Sequence, residues 1–355
     1  MQAYILEEEI MKKESFGKTS IGLETYKYNI ENKKGMRVVL TDMGAAIVEI
    51  WVKDSEGNFR DVALGYDDVQ LYEKEGTYFG AIVGRYANRI SNAEFEIDGT
   101  VYKLDANNNE NNLHSGAKGL AREVWKVAEQ EENRIVFSCL AVDDGFPGTA
   151  TCYVTYEVTE ENELKISYAA TPDKKSPFNM TNHTYFNLNG HDAGTILNHE
   201  LLIKASGYTP VIDNKAIPTG EIANVENTPF DFRVSKPIGR DIEEEFEQLI
   251  FGQGYDHNFV LDKEAEGVEK IAEVYSADSG IKMEVYTDCV GVQLYTGNFL
   301  DNDLGKRGHC YERRAGFCLE TQFFPNSINE PKFLRPITDA GETYKTQTIY
   351  KFDVK

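Results

Sequence analysis

The sequence predicts an all-β protein whose strands either pack as a sandwich or close into a barrel. Three observations carry this prediction. Apolar and polar residues alternate in many short segments, turn-forming clusters separate these segments, and helical periodicity is scarce. Strands that alternate in this way bury one face and expose the other, which is typical of antiparallel sheets in layered proteins. With 355 residues, the chain is long enough for one large domain of this class.

The two-residue period is clearest in three segments, which are residues 151–158, 163–170 and 290–295. In each of them every second side chain is apolar, so we expect three half-buried strands. A hairpin is predicted at Asp98-Gly99, because this dipeptide lies between two alternating segments and Asp-Gly favours a tight two-residue turn.

Helical periodicity is clear in one segment, residues 241–250. Its apolar side chains fall at positions i, i+4, i+7 and i+8, which places them on one face of a helix. These side chains are Ile242, Phe246, Leu249 and Ile250. A second short helix is expected near residues 67–74, so the predicted fold contains few and short helices.

The domain organisation is predicted to be simple. No linker, fixed-period repeat or break in composition divides the chain. We therefore expect residues 17–355 to form a single domain. Residues 1–16 precede it as an N-terminal arm or an added edge strand.

The excess of acidic residues limits which kinds of partner the protein is expected to bind. The formal net charge is −22, from 59 acidic and 37 basic residues. Nucleic acids and anionic membranes would be repelled by this charge, so neither is an expected partner. A neutral or cationic small molecule fits better, although many proteins are acidic for solubility alone.

The first residues and the cysteines indicate the compartment. The segment MQAYILEEEIMKKESFG has acidic residues where a secretory signal requires an apolar core. No window approaches the roughly 18 apolar residues of a membrane-spanning helix. The five cysteines are odd in number and contain no C-x-x-C pair, so we expect reduced thiols. These features predict a cytoplasmic protein.

Five short polar segments carry the candidate chemistry, and each centres on one ionisable residue. The segments are GRYANRI (84–90), NNLHSG (111–116), NMTNHTYFNLNG (179–190), GYDHNF (254–259) and FCLETQ (317–322). Their central residues are Arg89, His114, His183, Asp256 and Glu320. If the fold brings them together, the site contains two imidazoles, two carboxylates and a guanidinium. This set suits acid–base chemistry and includes no evident cysteine nucleophile or phosphate-binding loop.

Glu320 is the most informative of these residues. It lies in an alternating segment, residues 317–323, in which one face is apolar. A carboxylate in such a strand should be desolvated, which raises its pKa and makes it a competent base near neutral pH. The competing interpretation is a buried glutamate that is paired with an arginine for structural reasons.

His183 is the second candidate for proton transfer. Tyr185 and Phe186 follow it and are expected to form a wall beside it. Four asparagine amides surround it in the sequence, at Asn179, Asn182, Asn187 and Asn189. A hydrogen-bonded imidazole in such a setting can donate or accept a proton, whereas a lone histidine can also serve structure only.

The remaining residues give weaker signals. His114 lies at a loop or strand end. Asp256 precedes an apolar strand and has a capping role as its alternative. Arg89 fits a salt bridge or a ligand clamp with several directed donors, and Gln293 lies at a strand end where it could bind hydroxyl groups.

Other chemistries are less well supported. The sequence lacks the G-x-S-x-G, G-x-x-x-x-G-K-[ST], H-E-x-x-H and C-x-x-C motifs. Two histidines and a carboxylate form a known metal-ligand set. His114, His183 and Glu320 could therefore hold a metal, although no two of them share a short spacing. A glycosidase that uses Asp256 and Glu320 is also formally possible.

Taken together, these segments resemble the aldose 1-epimerase family over residues 22–355. Ten stretches occur in the family's order, which makes the resemblance specific. They are DVALGYDD, YFGAIVGRYANRI, NNLHSG, GFPG, NMTNHTYFNLNG, YTPVIDNKAIPTGEIANV, TPFDFR, GYDHNF, VQLYTGNFL and FCLETQFFPNSINEP.

The resemblance implies a fold and a function. The family has a large antiparallel β-sandwich and interconverts the α and β anomers of free aldohexoses such as galactose and glucose. It uses no metal and no organic cofactor. The implied partner is thus a monosaccharide, and the implied state is a monomer or homodimer. A non-catalytic sugar-binding or regulatory domain on the same fold is the alternative function.

The resemblance also implies roles for individual residues. Glu320 matches the family's general base and His183 its general acid. His114 matches a residue that holds and polarises the region of the ring oxygen. The residues that match sugar-hydroxyl ligands are Asn88, Arg89, Asp256 and Gln293.

Overall fold

A computed structural model describes residues 13–74, 76–142 and 144–355. The first strands in chain order are β1 (Lys13–Lys18), β2 (Glu24–Glu31), β3 (Arg37–Thr41), β4 (Ile47–Lys53), β5 (Phe59–Asp61), β6 (Ile82–Val83), β7 (Arg89–Ile90), β8 (Glu94–Ile97), β9 (Thr100–Lys103), β10 (Asn112–Leu113), β11 (Lys126–Gln130), β12 (Arg134–Ala141), β13 (Ala150–Val158) and β14 (Glu163–Pro172). The strands that follow are β15 (Ser176–Pro177), β16 (Thr181–Asn182), β17 (Glu200–Ile203), β18 (Gly207–Tyr208), β19 (Ala223–Asn224), β20 (Lys236–Pro237), β21 (Asp256–Val260), β22 (Glu269–Tyr275), β23 (Ile281–Thr287), β24 (Gly291–Tyr295), β25 (Asp303–Leu304), β26 (Cys310–Tyr311), β27 (Cys318–Gln322), β28 (Ile337–Thr338) and β29 (Tyr344–Val354).

Three large antiparallel sheets dominate the described residues. The largest has nine strands in the order β11-β12-β13-β14-β29-β23-β22-β17-β20. Two five-stranded sheets have the orders β1-β2-β3-β4-β5 and β19-β18-β21-β24-β27. Shorter two-stranded ribbons accompany these sheets, among them β6 with β16 and β7 with β10. The predicted all-β class and antiparallel β-sandwich are confirmed.

The core lies between the inner face of the nine-stranded sheet and the two five-stranded sheets. One apolar cluster combines side chains from all three, for example Ile30 of β2, Val154 of β13 and Leu294 of β24. Buried tyrosines tie the layers together through their hydroxyl groups. Tyr156 donates to the carbonyl of Ala45, and Tyr350 donates to the carbonyl of Leu319. A buried hydroxyl that keeps a partner avoids the cost of desolvation.

Most sequence-predicted strands are confirmed. Residues 151–158 and 163–170 lie in β13 and β14, where burial alternates along each strand. The hairpin at Asp98-Gly99 joins β8 to β9, and the two turn residues have φ values of 51° and 79°. Positive φ at both positions is the conformation that Asp-Gly favours in this turn.

One strand prediction is wrong in its burial. Residues 290–295 were expected to form a half-buried strand, but all five residues of β24 are buried. The face of β24 that carries Gln293 and Tyr295 is covered by the loops of the candidate site. Alternation in the sequence predicts which face of a strand is polar. It does not predict whether a loop covers that face.

The helices are short, as predicted, but one prediction is only partly correct. In the described residues the α-helices are α1 (Val69–Tyr72) and α2 (Glu247–Gly252). The helix expected over residues 241–250 begins only at Glu247, since Phe246 is extended with φ −105° and ψ 125°. Ile242 is buried from a turn, and Asp241 in that turn accepts from Lys236. Tertiary packing overrides the helical period here.

The predicted N-terminal arm, residues 1–16, falls largely outside the described residues. Its last four residues begin β1, which pairs antiparallel with β2. Phe16 of this strand is buried beside Tyr72, at a ring distance of 5.9 Å. Strand β1, which begins at Lys13, is therefore an edge strand of the first five-stranded sheet.

Arg85 holds the loop that leads to the candidate site. Its guanidinium is fully buried and pairs with Asp144 at 2.8 Å. It also donates to Ser176 and to three carbonyl groups, so the charge is paired and its donors are used. Removing one partner of such a buried pair is destabilising, because the other charge stays in the interior. Arg85 was not singled out in the sequence.

The cysteines and the helices bear on the questions of disulfides and of membrane-spanning segments. All five cysteines are free. In the part of the chain that the structure describes, no helix has the length and apolar character to cross a bilayer.

Candidate active site

The floor of the candidate site is one face of the sheet that contains β21, β24 and β27. Two rows of side chains cross these strands on that face, because residues directly opposite one another share a face. The first row is Asn258, Gln293 and Glu320, and the second row is Asp256, Tyr295 and Cys318. The opposite face of the same strands packs into the core through Phe259, Val292 and Leu319. The floor is therefore polar and rigidly supported.

His183 reaches the floor from a loop layer above it. β16 pairs with β6, and the pairing continues into His183, whose N–H donates to the Ala81 carbonyl. The His183 carbonyl in turn accepts from Gly80. Gly80 has φ +64°, and a Cβ at this position would lie 1.9 Å from the Ile47 carbonyl oxygen. The glycine of the YFGA segment is therefore required for His183 to be held at this position.

Arg89 and His114 arrive on a second ribbon, in which β7 pairs with β10. Asn88 and His114 are bonded to each other twice. The His114 N–H donates to the Asn88 carbonyl at 3.1 Å, and the Asn88 N–H donates to Nδ1 of His114 at 3.1 Å. Both residues have positive φ, 61° and 54°, a conformation that few residues other than glycine adopt, and both line the cavity described below.

These layers enclose a cavity of about 120 Å³. Six of the seven sequence-predicted site residues line it, so the fold brings distant segments together. Gln293 does not line it but donates to Asp256, which does. The lining residues are Gly76, Tyr78, Asn88, Arg89, Leu113, His114, His183, Tyr185, Asp256, Tyr295, Phe299 and Glu320.

Glu320 and His183 face each other in this cavity. Nε2 of His183 lies 3.6 Å from Oε1 of Glu320, and the two residues are only 5% and 2% exposed. Burial raises the pKa of Glu320 well above its usual value, and the nearby Asp256 carboxylate raises it further. Burial also lowers the pKa of His183 to about 4. Opposite shifts on two adjacent groups are typical of proton-transfer sites.

One oxygen of Glu320 is left without a protein partner. Oε2 is buried, and within the described residues it forms no hydrogen bond. An unpaired buried carboxylate oxygen is costly, because nothing replaces the water that it loses. A ligand hydroxyl in the cavity would satisfy it.

The Nδ1 atoms of the two histidines have different partners. Nδ1 of His114 accepts the Asn88 N–H, so a neutral His114 carries its proton on Nε2. Burial, together with the charges of His183, Arg89 and Arg122, lowers the pKa of His114 well below its usual value. His114 is therefore a fixed neutral donor. His183 has no backbone N–H on Nδ1, which instead lies 3.6 Å from Sγ of Cys318.

Arg89, Asp256 and Gln293 form a polar edge to the cavity. Gln293 donates to Oδ1 of Asp256 at 2.7 Å, and Nε of Arg89 donates to Asn108 at 3.1 Å. In the part of the chain that the structure describes, Oδ2 of Asp256 and both terminal nitrogens of Arg89 form no hydrogen bond. These atoms are therefore available to hydroxyl groups of a ligand.

Some expectations for the surroundings of His183 are wrong. The nearby amides do not reach the imidazole, since Asn179 and Asn182 donate to the carbonyls of Ala87 and Gly80 and thereby hold the loops. Tyr185 lines the cavity and stacks on His183 at 5.1 Å, as expected. Phe186 instead points into the core, because adjacent residues of an extended chain point in opposite directions.

Sequence reasoning missed most of the apolar lining. Tyr78 packs against both histidines, 4.8 Å from the His114 ring and 5.9 Å from the His183 ring. It has φ +55°, and the Arg122 guanidinium lies 4.4 Å from the centre of its ring. Phe299 extends the wall and is 56% exposed at the cavity mouth. The sequence signal for these two residues is their position within the segments YFGA (78–81) and YTGNF (295–299).

The residues considered as metal ligands do come together. The candidate ligand atoms of His114, His183 and Glu320 lie within 4.8 Å of one another. A histidine that binds a metal donates from its other nitrogen to a neighbouring acceptor. His114 cannot do so, because its Nδ1 accepts the Asn88 N–H. Two ligands remain, fewer than the three protein ligands of a catalytic zinc site.

Activity is therefore expected to survive prolonged chelation. The physical reason is that His114 keeps its Nε2 proton and offers no lone pair to an ion. Catalytic activity measured before and after dialysis against a chelator should agree within error. A fall in activity that stoichiometric zinc restores would contradict this expectation.

Known proteins are similar to this chain in sequence and fold. The sequence profile of the family described as aldose 1-epimerase matches residues 26–351. Galactose mutarotase from Bos taurus is 40% identical over 343 residues, which are 96% of this chain and 97% of that protein. Aldose 1-epimerase from Escherichia coli (strain K12) is 37% identical over 332 residues, 91% and 94% of the two chains. A solved aldose epimerase homologue from C. elegans superposes with a TM-score of 0.86 at 31% identity, covering 93% of this chain and 99% of its own.

The fold and the comparisons define this protein as an isomerase with a galactose mutarotase-like β-sandwich. Within that class, the chain belongs to the aldose 1-epimerase family, since the family profile and both relatives cover nearly its whole length. The resemblance noted in the sequence is confirmed. The reaction class is thus the epimerisation of a sugar at its anomeric carbon.

Proposed function

We propose that this protein interconverts the α and β anomers of free aldohexoses, galactose and glucose among them, by acid–base opening and closure of the ring. The observation that carries this proposal is the buried pair of Glu320 and His183, whose facing atoms are 3.6 Å apart. Relatives named galactose mutarotase support galactose as a substrate. Binding alone would need no paired acid and base.

The proposed reaction needs only these two proton carriers. Glu320 as carboxylate takes the proton from the anomeric hydroxyl, the C1–O5 bond breaks, and His183 as imidazolium gives its Nε2 proton to O5. The open aldehyde then rotates about C1–C2. On closure, O5 attacks C1, returns its proton to His183, and the anomeric oxygen takes the proton from Glu320. The enzyme regains its starting state.

The pair must hold one proton for this reaction. Burial favours the neutral form of each group, so in the empty site the proton lies mainly on Glu320. The charge of Arg89 favours the carboxylate form of Glu320. A sugar hydroxyl that donates to Oε2 favours it as well. Sugar binding therefore shifts the shared proton toward His183, the arrangement that the reaction requires.

His114 supports the same step without carrying a proton. Its fixed Nε2–H can donate to the ring oxygen region throughout the reaction. Because its Nδ1 is occupied by Asn88, it cannot take up a second proton without losing that bond. The structure thus supports His183, rather than His114, as the acid.

The proposal is tested by polarimetry on a panel of free aldoses. Pure protein should accelerate mutarotation of galactose and glucose well beyond the rate in buffer, without added metal or cofactor. Isothermal titration calorimetry on the same sugars measures binding, and so distinguishes catalysis from the alternative function of binding alone. Sugar binding without any acceleration would identify a non-catalytic sugar-binding domain instead.

Replacing Asp256 with alanine is expected to raise KM by about ten-fold or more. Oδ2 of Asp256 is free to accept from a sugar hydroxyl, and charge-assisted hydrogen bonds of this kind contribute roughly 1.5–3 kcal/mol each. Steady-state polarimetry gives KM and kcat for the variant. The kcat should fall as well if the sugar is held less tightly, since acid and base must both reach one C1–O5 unit.

Sugars that differ at one hydroxyl provide the control for this variant. If Asp256 binds one particular hydroxyl, Asp256→Ala loses its preference between the parent sugar and the analogue that lacks this group. Asp256→Asn keeps the size of the side chain and should show an intermediate KM. Equal loss for every sugar, together with a lower Tm, would instead identify Asp256 as a structural residue.

A further inference from the structure

Cys318 contacts the imidazole that acts as the acid in the proposed function. Its Sγ lies 3.6 Å from Nδ1 of His183, while Nε2 of the same ring lies 3.6 Å from Oε1 of Glu320. Cys318 and Glu320 are two residues apart on β27, so their side chains point to the same face of the sheet. One strand therefore contacts both nitrogens of one imidazole.

We propose that Cys318 is a positioning residue whose sulfur accepts the Nδ1–H of His183, so that Nε2 is the nitrogen that gives and regains the proton. This inference rests on the proposed role of His183. An imidazolium that gives up its Nε2 proton keeps the proton on Nδ1, because losing both would leave an anion. The Nδ1–H thus needs an acceptor through the whole reaction.

The surroundings of the thiol suit this role. Cys318 is fully buried, and in the described residues its Sγ forms no other hydrogen bond than that to His183. Burial also raises the pKa of the thiol well above its usual value, so the sulfur stays neutral. A neutral sulfur is a weak acceptor. The sulfur therefore orients the ring and leaves the pKa of the imidazole low. A carboxylate in the same place would raise that pKa, because its charge stabilises the imidazolium.

A weak acceptor has a chemical advantage at this position. The ring oxygen of a sugar is a poor base, so a donor of low pKa transfers its proton to it more readily. His114 shows the opposite arrangement, because its Nδ1 accepts a backbone N–H. The partners on Nδ1 therefore set the two imidazoles in opposite tautomers, and only His183 is free to exchange a proton at Nε2.

The tautomer can be measured directly on the full-length protein. Long-range proton–nitrogen NMR correlations on protein labelled with ¹⁵N-histidine distinguish a protonated ring nitrogen from an unprotonated one. Above the pKa of His183, we expect its Nδ1 to be protonated and its Nε2 not, and we expect the reverse for His114. The His183→Asn variant identifies the signals. A His183 that carries its proton on Nε2 alone would overturn the proposal.

Two variants test the consequence for catalysis. Cys318→Ala should lower kcat by about five- to ten-fold with little change in KM, since one hydrogen bond of modest strength is lost. Cys318→Ser keeps an acceptor and should recover part of that loss. A hydroxyl oxygen is a better acceptor than sulfur, so it should raise the pKa of His183. The acid limb of the pH profile of Cys318→Ser should therefore move to higher pH.

Cys152→Ala is the matched control, because Cys152 is equally buried but lies in β13 of the nine-stranded sheet. It should keep the wild-type kcat and pH profile. A folded Cys318→Ala variant with wild-type kcat and pH profile would overturn the proposal. If that variant does not fold, the NMR result and Cys318→Ser decide. The NMR result does not depend on activity. A failure of the Cys318 proposal can therefore be distinguished from a failure of the proposed function.

Discussion

Mutarotation should be nearly abolished in the Glu320→Gln variant, although sugar should still bind. The amide keeps the shape of the side chain but cannot take the proton from the anomeric hydroxyl. Removing a general base costs ~10²–10⁴-fold in rate, and more where it acts in concert with an acid. Polarimetry measures the rate and calorimetry measures the binding. Full activity in this variant would remove Glu320 from the mechanism.

Stability measurements provide a control for the same variant. Burial raises the pKa of Glu320, so the folded state binds this proton more tightly than the unfolded state does. The resulting stabilisation is present at low pH and is lost as the pH rises through the folded pKa. The Glu320→Gln variant has no such loss, so its Tm at pH 8 should equal or exceed that of the wild type. A much lower Tm would attribute the inactivity to misfolding.

The His183→Asn variant should lose ~10²–10⁴-fold in kcat/KM and also change the shape of the pH profile. In the wild type the profile should be a bell, because the pair must hold one proton. The acid limb lies near the pKa of about 4 that burial gives His183. The alkaline limb follows the raised pKa of Glu320.

In the variant only Glu320 titrates. Its residual activity should therefore rise with pH as the carboxylate forms, and the alkaline fall should disappear. The kcat/KM of the variant measured across the pH range decides this. If the bell kept both limbs, His183 would not be the proton donor, and His114 would have to be tested by the same substitution.

The sequence was sufficient to predict the features that depend on local pattern. Alternation predicted β13 and β14, and Asp98-Gly99 predicted its hairpin, because side-chain period and turn conformation are properties of neighbouring residues. The apolar surroundings of Glu320 predicted its burial and the direction of its pKa shift, and both agree with the structure.

The features that were missed depend on residues far apart in the chain. Helix α2 begins at Glu247 because Ile242 and Phe246 are placed by packing rather than by helical period. The tautomer of His114 is set by the N–H of Asn88, 26 residues earlier. The burial of Arg85 depends on Asp144, 59 residues later. No local pattern reports such contacts, since only the register of the sheets and ribbons creates them.

The site divides its work between two kinds of backbone, and this division has a consequence for evolution. Glu320 and Asp256 stand on strands of a large sheet, where a shift of register would turn every side chain to the other face. Arg89, His114 and Phe299 stand on short ribbons and loops, which tolerate substitution and changes of length. The loops can therefore diverge in shape, and so in the ligands they admit, while the sheet keeps Glu320 in place. His183 directly follows one of these ribbons, so a lineage built on this plan can acquire new substrates only where its loops keep the pair of Glu320 and His183 intact.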